Sequence, residues 1–228
     1  MSLLRLCRNA ALCLLLLAPS AFAAPGSAGD ALADPFDESP PPQSFFAARV
    51  GYALPFGTIT HEGTDPLWLY DVYNGVVPFW LEGGYRLTSN LFLGAYGQLA
   101  PAQIHGRCDC SGSDLRLGLN LYYHLYPETF AKVWFALGLG YERTEASVAG
   151  QFTDIFSGPD ASFQAGADYD AGPLSAGPFV ALTMGEYLTE SVNLGTGLTS
   201  RFIEDRSLHF WFQIGLRVRF EVASRPTS

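Results

Sequence analysis

The side chains of this sequence that could do chemistry are few and scattered. The histidines are His61, His105, His124 and His209, and the cysteines are Cys7, Cys13, Cys108 and Cys110. A hydrolase needs a nucleophile, a base and an orienting group brought close together, and no histidine here sits in a His/Ser motif of that kind. His61 and His105 fall in segments without strand periodicity and could meet as metal ligands, although two such histidines are more often simply solvated. Cys108-Asp109-Cys110 could close a small strained disulfide ring or bind a soft metal. A lone C-x-C without further Cys or His nearby is a weak metal signal, so the disulfide is the favoured reading. An acid-rich stretch between Arg143 and Gly172 carries Glu145, Asp154, Asp160, Asp168 and Asp170 among many Gly, Ala and Ser. It could take cations or an outside partner, but an acidic surface loop is the simpler account. The expectation is no catalytic residue, no metal site and no cofactor.

The elements that must carry these side chains are more legible. From Phe210 to Phe220 the chain reads FWFQIGLRVRF. Phe210, Phe212, Ile214, Leu216, Val218 and Phe220 would share one face of a strand; Trp211, Gln213, Gly215, Arg217 and Arg219 would share the other. The same alternation recurs. Leu115, Leu117, Leu119, Leu121, Tyr123 and Leu125 oppose Arg116, Gly118, Asn120, Tyr122, His124 and Tyr126. Further strands are expected over Phe45–Pro55, Val77–Leu87, Leu91–Ala100, Ala131–Glu142, about Leu174–Tyr187, and Ser191–Phe202. The sixth is disturbed by Pro173 and Pro178, because proline is poorly placed in a paired strand. Most segments are close to the length at which a tilted strand crosses a bilayer.

Before the first strand, Arg5 and Arg8, the leucine-rich run Ala10 to Leu17, and Ala21-Phe22-Ala23 read as a secretory signal peptide over 1–23. Residues 24–43, rich in Ala, Gly, Ser, Asp and Pro, read as a disordered tail. The strands occupy 44–222, and 223–228 form a short C-terminal tail. The composition is 48% hydrophobic and 15% charged. Beyond the leader, no stretch approaches the ~20 apolar residues of a spanning helix. The formal net charge is −9, and loss of Arg5 and Arg8 makes it more negative still. That excludes a nucleic-acid partner, which needs a basic footprint.

Short connections at Thr88-Ser89-Asn90, Pro127-Glu128-Thr129 and Thr189-Glu190 alternate with longer ones. That is the pattern of an up-and-down barrel, and the fold expected is all-β, an eight-stranded antiparallel transmembrane β-barrel. Closure has a physical reason: each backbone N–H or C=O left unpaired in hydrocarbon costs several kcal/mol. Outward aromatics fall at two levels, Phe46, Tyr85, Tyr123 and Phe220 at one end and Phe79, Tyr141 and Phe210 at the other. They fit interfacial girdles, although strands are enriched in aromatics anyway. A secreted soluble carrier barrel would show the same alternation with its faces exchanged. The arginines and glycines of the polar face, and short turns on one side only, favour the membrane assignment.

The chain resembles the small eight-stranded OmpA/OmpX-type barrels and the broad outer-membrane β-barrel domain family over about Phe45 to Phe220. The most specific element is Gln213, Gly215, Val218 and Phe220, which is similar to the family's C-terminal insertion signal. That signal usually ends the chain, whereas Glu221 to Ser228 follow here. The resemblance implies an integral protein of a Gram-negative outer membrane, with loops outside and termini in the periplasm. It implies outer-membrane lipids, lipopolysaccharide and the β-barrel assembly machinery as partners.

Eight strands enclose an interior just wide enough for side chains to fill. The inward charges Arg49, Glu82, Arg86, Arg116, Glu142, Arg217 and Arg219 should form an interior polar network, since buried charges need partners. The expected function is a structural or surface-interaction barrel with a plugged polar interior. The alternatives are a lipid-A-modifying enzyme or a narrow channel.

One substitution pair tests the assignment of faces. Leu119→Arg should cost about 2–4 kcal/mol, the penalty for a charge on the lipid side near the midplane. Asn120→Gln, on the opposite face by the period of two, should be milder. Denaturant titration of both variants folded into vesicles measures the difference, and equal tolerance would mean the faces are exchanged.

Overall fold

In a computed structural model of the chain, the described residues are 43–60, 66–104, 110–125, 127, 129–148, 152–193 and 197–223. The expected signal peptide, most of the tail after it, His61, His105 and Cys108 with its proposed bridge to Cys110 lie outside what is described. Among the described residues there are twelve strands: β1 (Gln43–Thr60), β2 (Leu67–Trp68), β3 (Tyr73–Val76), β4 (Phe79–Arg86), β5 (Leu91–Ile104), β6 (Cys110–His124), β7 (Ala131–Val148), β8 (Phe152–Ala171), β9 (Leu174–Glu186), β10 (Thr189–Asn193), β11 (Leu198–Phe202) and β12 (Leu208–Ala223). One short helix, α1 (Leu69–Val72), separates β2 from β3. Among the described residues, strand pairing runs from Gln43 to Ala223.

Antiparallel pairing runs around a closed ring, from β1 through β3 and β4 to β5, β6, β7, β8, β9 and β12. β3 and β4 are one span interrupted at Val77-Pro78, where proline lacks the donor a ladder needs. The interruption is bridged by Gly51 N–H to Pro78 O at 3.2 Å and Val77 N–H to Pro101 O at 3.1 Å. The ring therefore has eight spans. It closes by pairing β1 with β12 from Gln43↔Ala223 to Gly57↔His209.

Two spans differ from the sequence expectation. The stretch Arg143 to Gly172 is not a loop. It holds the end of β7 and the whole of β8, paired with β7 from Ala131↔Tyr169 to Val148↔Phe152. Asp160-x-Ser162-x-Gln164 and Asp168 face inward and are buried, while Phe163 is exposed on the outer face. The other outward positions include Ala161, Ala165 and Ala167, so the alternation exists but lacks the bulky apolar residues that mark a strand. Conversely, Ser191–Phe202 does not span. It forms the hairpin β10–β11, with β10 paired to the loop end of β8. Each arm is five residues, well short of the ~9–11 a crossing strand needs.

The short connections, Leu87–Asn90, Leu125–Phe130 and Gly172-Pro173, share the end of the barrel where β1 starts and β12 finishes. Gly172 takes a left-handed φ of 73°, which lets two residues reverse the chain. The Thr189-Glu190 turn expected at this end belongs to the opposite one.

The outer surface is hydrocarbon. Leu81, Leu139, Leu137, Leu117 and Leu216 are 60% exposed or more, on a scale that no soluble protein leaves open. Leu119 on the same face is 55% exposed and its neighbour Asn120 is fully buried. Of the aromatics expected at two levels, Phe46, Tyr85, Tyr123, Phe220, Phe79 and Tyr141 are exposed and Phe210 is half-buried.

β8 supplies its own test. Ala161 pairs with Leu139, which pairs with Leu119, so it lies in the same midplane row. Ala161→Arg should cost about 2–4 kcal/mol in vesicle unfolding. A surface loop would tolerate it.

Candidate functional site

The interior is the place where polar chemistry converges, because the period of two sends one side chain in two from every span into a narrow lumen. Inward glycines make the room. A Cβ on Gly138 would collide with the side chains of Asn120 and Ser162. Two clusters result, each built around a glutamate.

The first centres on Glu82 of β4. Arg49 Nη2 donates to Glu82 Oε2 at 2.7 Å and Arg49 Nη1 to Gln164 Oε1 at 2.6 Å. Arg49 also donates to the Tyr122 hydroxyl, which donates to Glu82 Oε1 at 2.5 Å. Gln164 Nε2 donates to Asn120 Oδ1 at 3.0 Å, and Asn120 Nδ2 to Tyr122 Oη at 3.0 Å. Arg217 lies 3.9 Å from Glu82 and 3.2 Å from Asp168. Its guanidinium also covers the rings of Tyr122 and Trp134 at 4.8 and 4.7 Å, a contact suited to the weakly hydrated arginine head. Arg219 meets Glu221 at 3.0 Å and His124 Nε2 at 3.0 Å. At the mouth on the short-turn side, Arg86 donates to Gln43 and to the carbonyls of Thr88 and Ser89. Lys132 pairs with Asp170 there at 3.0 Å.

The second cluster centres on Glu142 of β7. Its Oε1 accepts from the Tyr187 hydroxyl at 2.9 Å and from Trp211 Nε1 at 3.0 Å, and lies 3.2 Å from Arg116. Its Oε2 lies 3.0 Å from His209 Nε2. Arg116 reaches Asp114 at 3.0 Å, and Gln98 donates to the same Asp114 carboxylate at 2.8 Å. The imidazole of His209 stacks on Tyr187, with ring centroids 4.0 Å apart.

Both clusters are covered by hydrocarbon. Towards the loop end, Ile59, Leu69, Tyr73, Val76, Phe156, Tyr187, Ile203 and Trp211 pack into one buried group. Towards the turn end, Phe45, Phe92, Tyr122, Trp134 and Phe179 pack with Ala47, Ala136 and Ala181 into another.

The structure therefore brings Arg49, Glu82 and Arg217 together, and separately Arg116 with Glu142. Arg219 joins the first group through His124 and Glu221, and Arg86 stays at the mouth. The sequence names Asp160 and Asp168 only as loop acids that could take cations, and it points to neither Gln164 nor Tyr187 as a site residue; all four are buried in the lumen. The inward place of Asp160, Gln164 and Asp168 is masked by the small outward residues of β8, although their polar alternation around Phe163 is a usable signal. His209 and Glu142 form a buried pair, and the side-chain hydroxyls that join it are those of Thr144, which donates to Glu142 Oε1 at 3.0 Å, and Tyr187. Gln213, Gly215, Val218 and Phe220 fall in β12 directly on the closing seam, opposite Ala53, Gly51, Ala48 and Phe46.

No family model matches the chain, and no curated protein matches it. Solved structures do. OprG, an outer membrane protein from Pseudomonas aeruginosa, is similar with a TM-score of 0.55 at 11% identity, over 82% of this chain and 98% of that one. A major outer membrane protein from Thermus thermophilus is similar with a TM-score of 0.50 at 12% identity, over 78% of this chain and 99% of that one. At such identities the likeness concerns the fold, which is that of an integral outer-membrane β-barrel.

Removing one partner of a buried ion pair leaves the other charge uncompensated, at about 3–5 kcal/mol. Glu82→Leu should therefore destabilise the barrel by that order. The double variant Arg49→Met/Glu82→Leu should recover part of the loss, with Arg217 keeping its bond to Asp168. A double-mutant cycle on denaturant midpoints measures the coupling.

Proposed function

We propose that this protein is a structural or surface-interaction barrel of the outer membrane, without catalysis and without an open pore. The observation that carries the reading is the packed lumen: two ion-paired clusters, each covered by an apolar group. A polar conduit would need a continuous wet path, whereas the bulkiest fully buried side chains, Trp80, Trp134, Trp211, Arg217 and Arg219, all point inward.

The short turns and both ends of the strand array face the periplasm in this reading, since barrels inserted from that side keep their short turns there. The loop end then faces outward and is the interaction surface. It offers β11, whose five residues are all exposed, and the stacked rings of Trp68 and Tyr70, 5.6 Å apart. Outer-membrane lipids and lipopolysaccharide are the surroundings. The motif of Gln213, Gly215, Val218 and Phe220 serves as the insertion signal read by the assembly machinery. Its place on the closing seam supports that role, because the strand carrying the signal is also the one that completes the ring.

Planar-bilayer recording of the purified protein should show no stable openings, and lipid A from cells with and without the protein should have the same mass profile. Step conductances would replace this reading with the narrow channel. A mass change abolished by Glu142→Gln or His209→Gln would replace it with the enzyme. Phe220→Ala should reduce the heat-modifiable folded fraction in the outer membrane while leaving refolding in detergent nearly intact; equal loss in both would make Phe220 a packing residue and not a signal.

A further inference from the structure

The two interior clusters differ in how their charges balance. Around Glu82, the guanidiniums of Arg49, Arg217 and Arg219 face Glu82, Asp168 and Glu221, each within 4 Å of an opposite charge. Around Glu142 the acids are in excess. Asp114, Glu142 and Asp160 are all buried, and the cations among them are Arg116 and His209. Even with His209 protonated, three carboxylates meet two positive groups.

The surplus charge has an address. Arg116 is engaged by Asp114 and Glu142, and His209 by Glu142. Asp160, only 5% exposed, has neither carboxylate oxygen in a hydrogen bond or an ion pair. Its β-ladder neighbours are Gly140 and Gly185, which carry no side chain to offer a donor. A Cβ on Gly140 would lie 2.8 Å from Asp160 Oδ1 and 2.7 Å from the Tyr96 hydroxyl, so the carboxylate and the phenol both border the space above that glycine. Gln98, 3% exposed, likewise has its carbonyl oxygen unpartnered while its amide is used on Asp114. The two oxygens of Asp160 and the carbonyl of Gln98 are unpartnered acceptors in this half of the lumen, where the Tyr73 hydroxyl and His209 Nδ1 are unpartnered as well. A bare carboxylate in such surroundings is strongly disfavoured unless a counter-charge accompanies it.

We propose that Asp160 holds a small monovalent cation, such as sodium or potassium, inside the barrel. The ion supplies the counter-charge that Asp114, Glu142 and Asp160 together lack. A divalent metal does not fit, because among the described residues no three His, Cys, Asp or Glu side chains converge as a metal-binding group. The ion is a structural component of the lumen, held at a buried carboxylate.

The test uses the full-length protein refolded in detergent in sodium, potassium or tetramethylammonium chloride at equal ionic strength, the last being too large for the lumen. Thermal unfolding is followed by heat-modifiable mobility. The wild type should melt several degrees higher in sodium or potassium than in tetramethylammonium, since a ligand bound only to the folded state stabilises it by mass action. Asp160→Asn should erase the difference between salts, and Asp160→Ser should do the same if the asparagine variant folds poorly. Equal melting of the wild type in all three salts overturns the proposal, as does a salt difference that survives in either variant. A wild type whose stability follows pH alone, with no dependence on the cation, shows that a proton neutralises Asp160 and also overturns it.

Discussion

Everything in this molecule follows from the pairing of β1 with β12. In hydrocarbon the peptide group has no water to bond, so a sheet that crosses a membrane must have no edge. The antiparallel register from Gln43↔Ala223 to Gly57↔His209 removes the last edge. Once the sheet is a closed ring of eight spans, its outer face must be apolar and its lumen must be filled by what remains. Arginine, glutamate and tryptophan enter the lumen because the period of two leaves them nowhere else to go. The arginines and glutamates stay because each meets an opposite charge there.

The closed ring was legible in the sequence wherever the outward positions are large. Leu115 to Leu125, and Phe210 to Phe220, show one apolar face each, and their inward partners Arg116, Asn120, Arg217 and Arg219 could be assigned to the lumen without coordinates. β8 was not legible, because its outward face uses Ala161, Ala165 and Ala167. Small residues hide the contrast that periodicity depends on, and the inward places of Asp160, Gln164 and Asp168 are hidden with it. Val192 and Leu198 alternate with polar residues in a hairpin that does not cross. The expected eight spans are therefore present with one member exchanged. What sequence could not supply was which inward charges meet, since Arg49 and Glu82 are joined only by the register of β1 on β4.

The lumen also shows how a polar interior can hold a fold together. Its ion pairs are not isolated: Arg49, Glu82, Tyr122, Asn120 and Gln164 form a continuous chain of hydrogen bonds across four spans. Breaking one link leaves a buried group unsatisfied, so the network penalises errors in register more than it rewards the native state. A one-residue slip of a span would turn its polar side chains to the lipid and its apolar ones to the lumen. Strand register is therefore specified twice, by the lipid outside and by the charges within.

The meeting of Gln43 with Ala223 has a kinetic side. The two strands that seal the ring are the first and the last made, so their contacts have very high contact order. Barrels whose decisive pairing spans the whole chain fold slowly, because loop closure precedes its reward. Until β12 has emerged, the nascent chain exposes the raw flanks of β1 and β9 together with a belt of leucine, the combination that aggregates most readily. Formation of the seam is therefore the step that removes the exposed edges and ends this hazard.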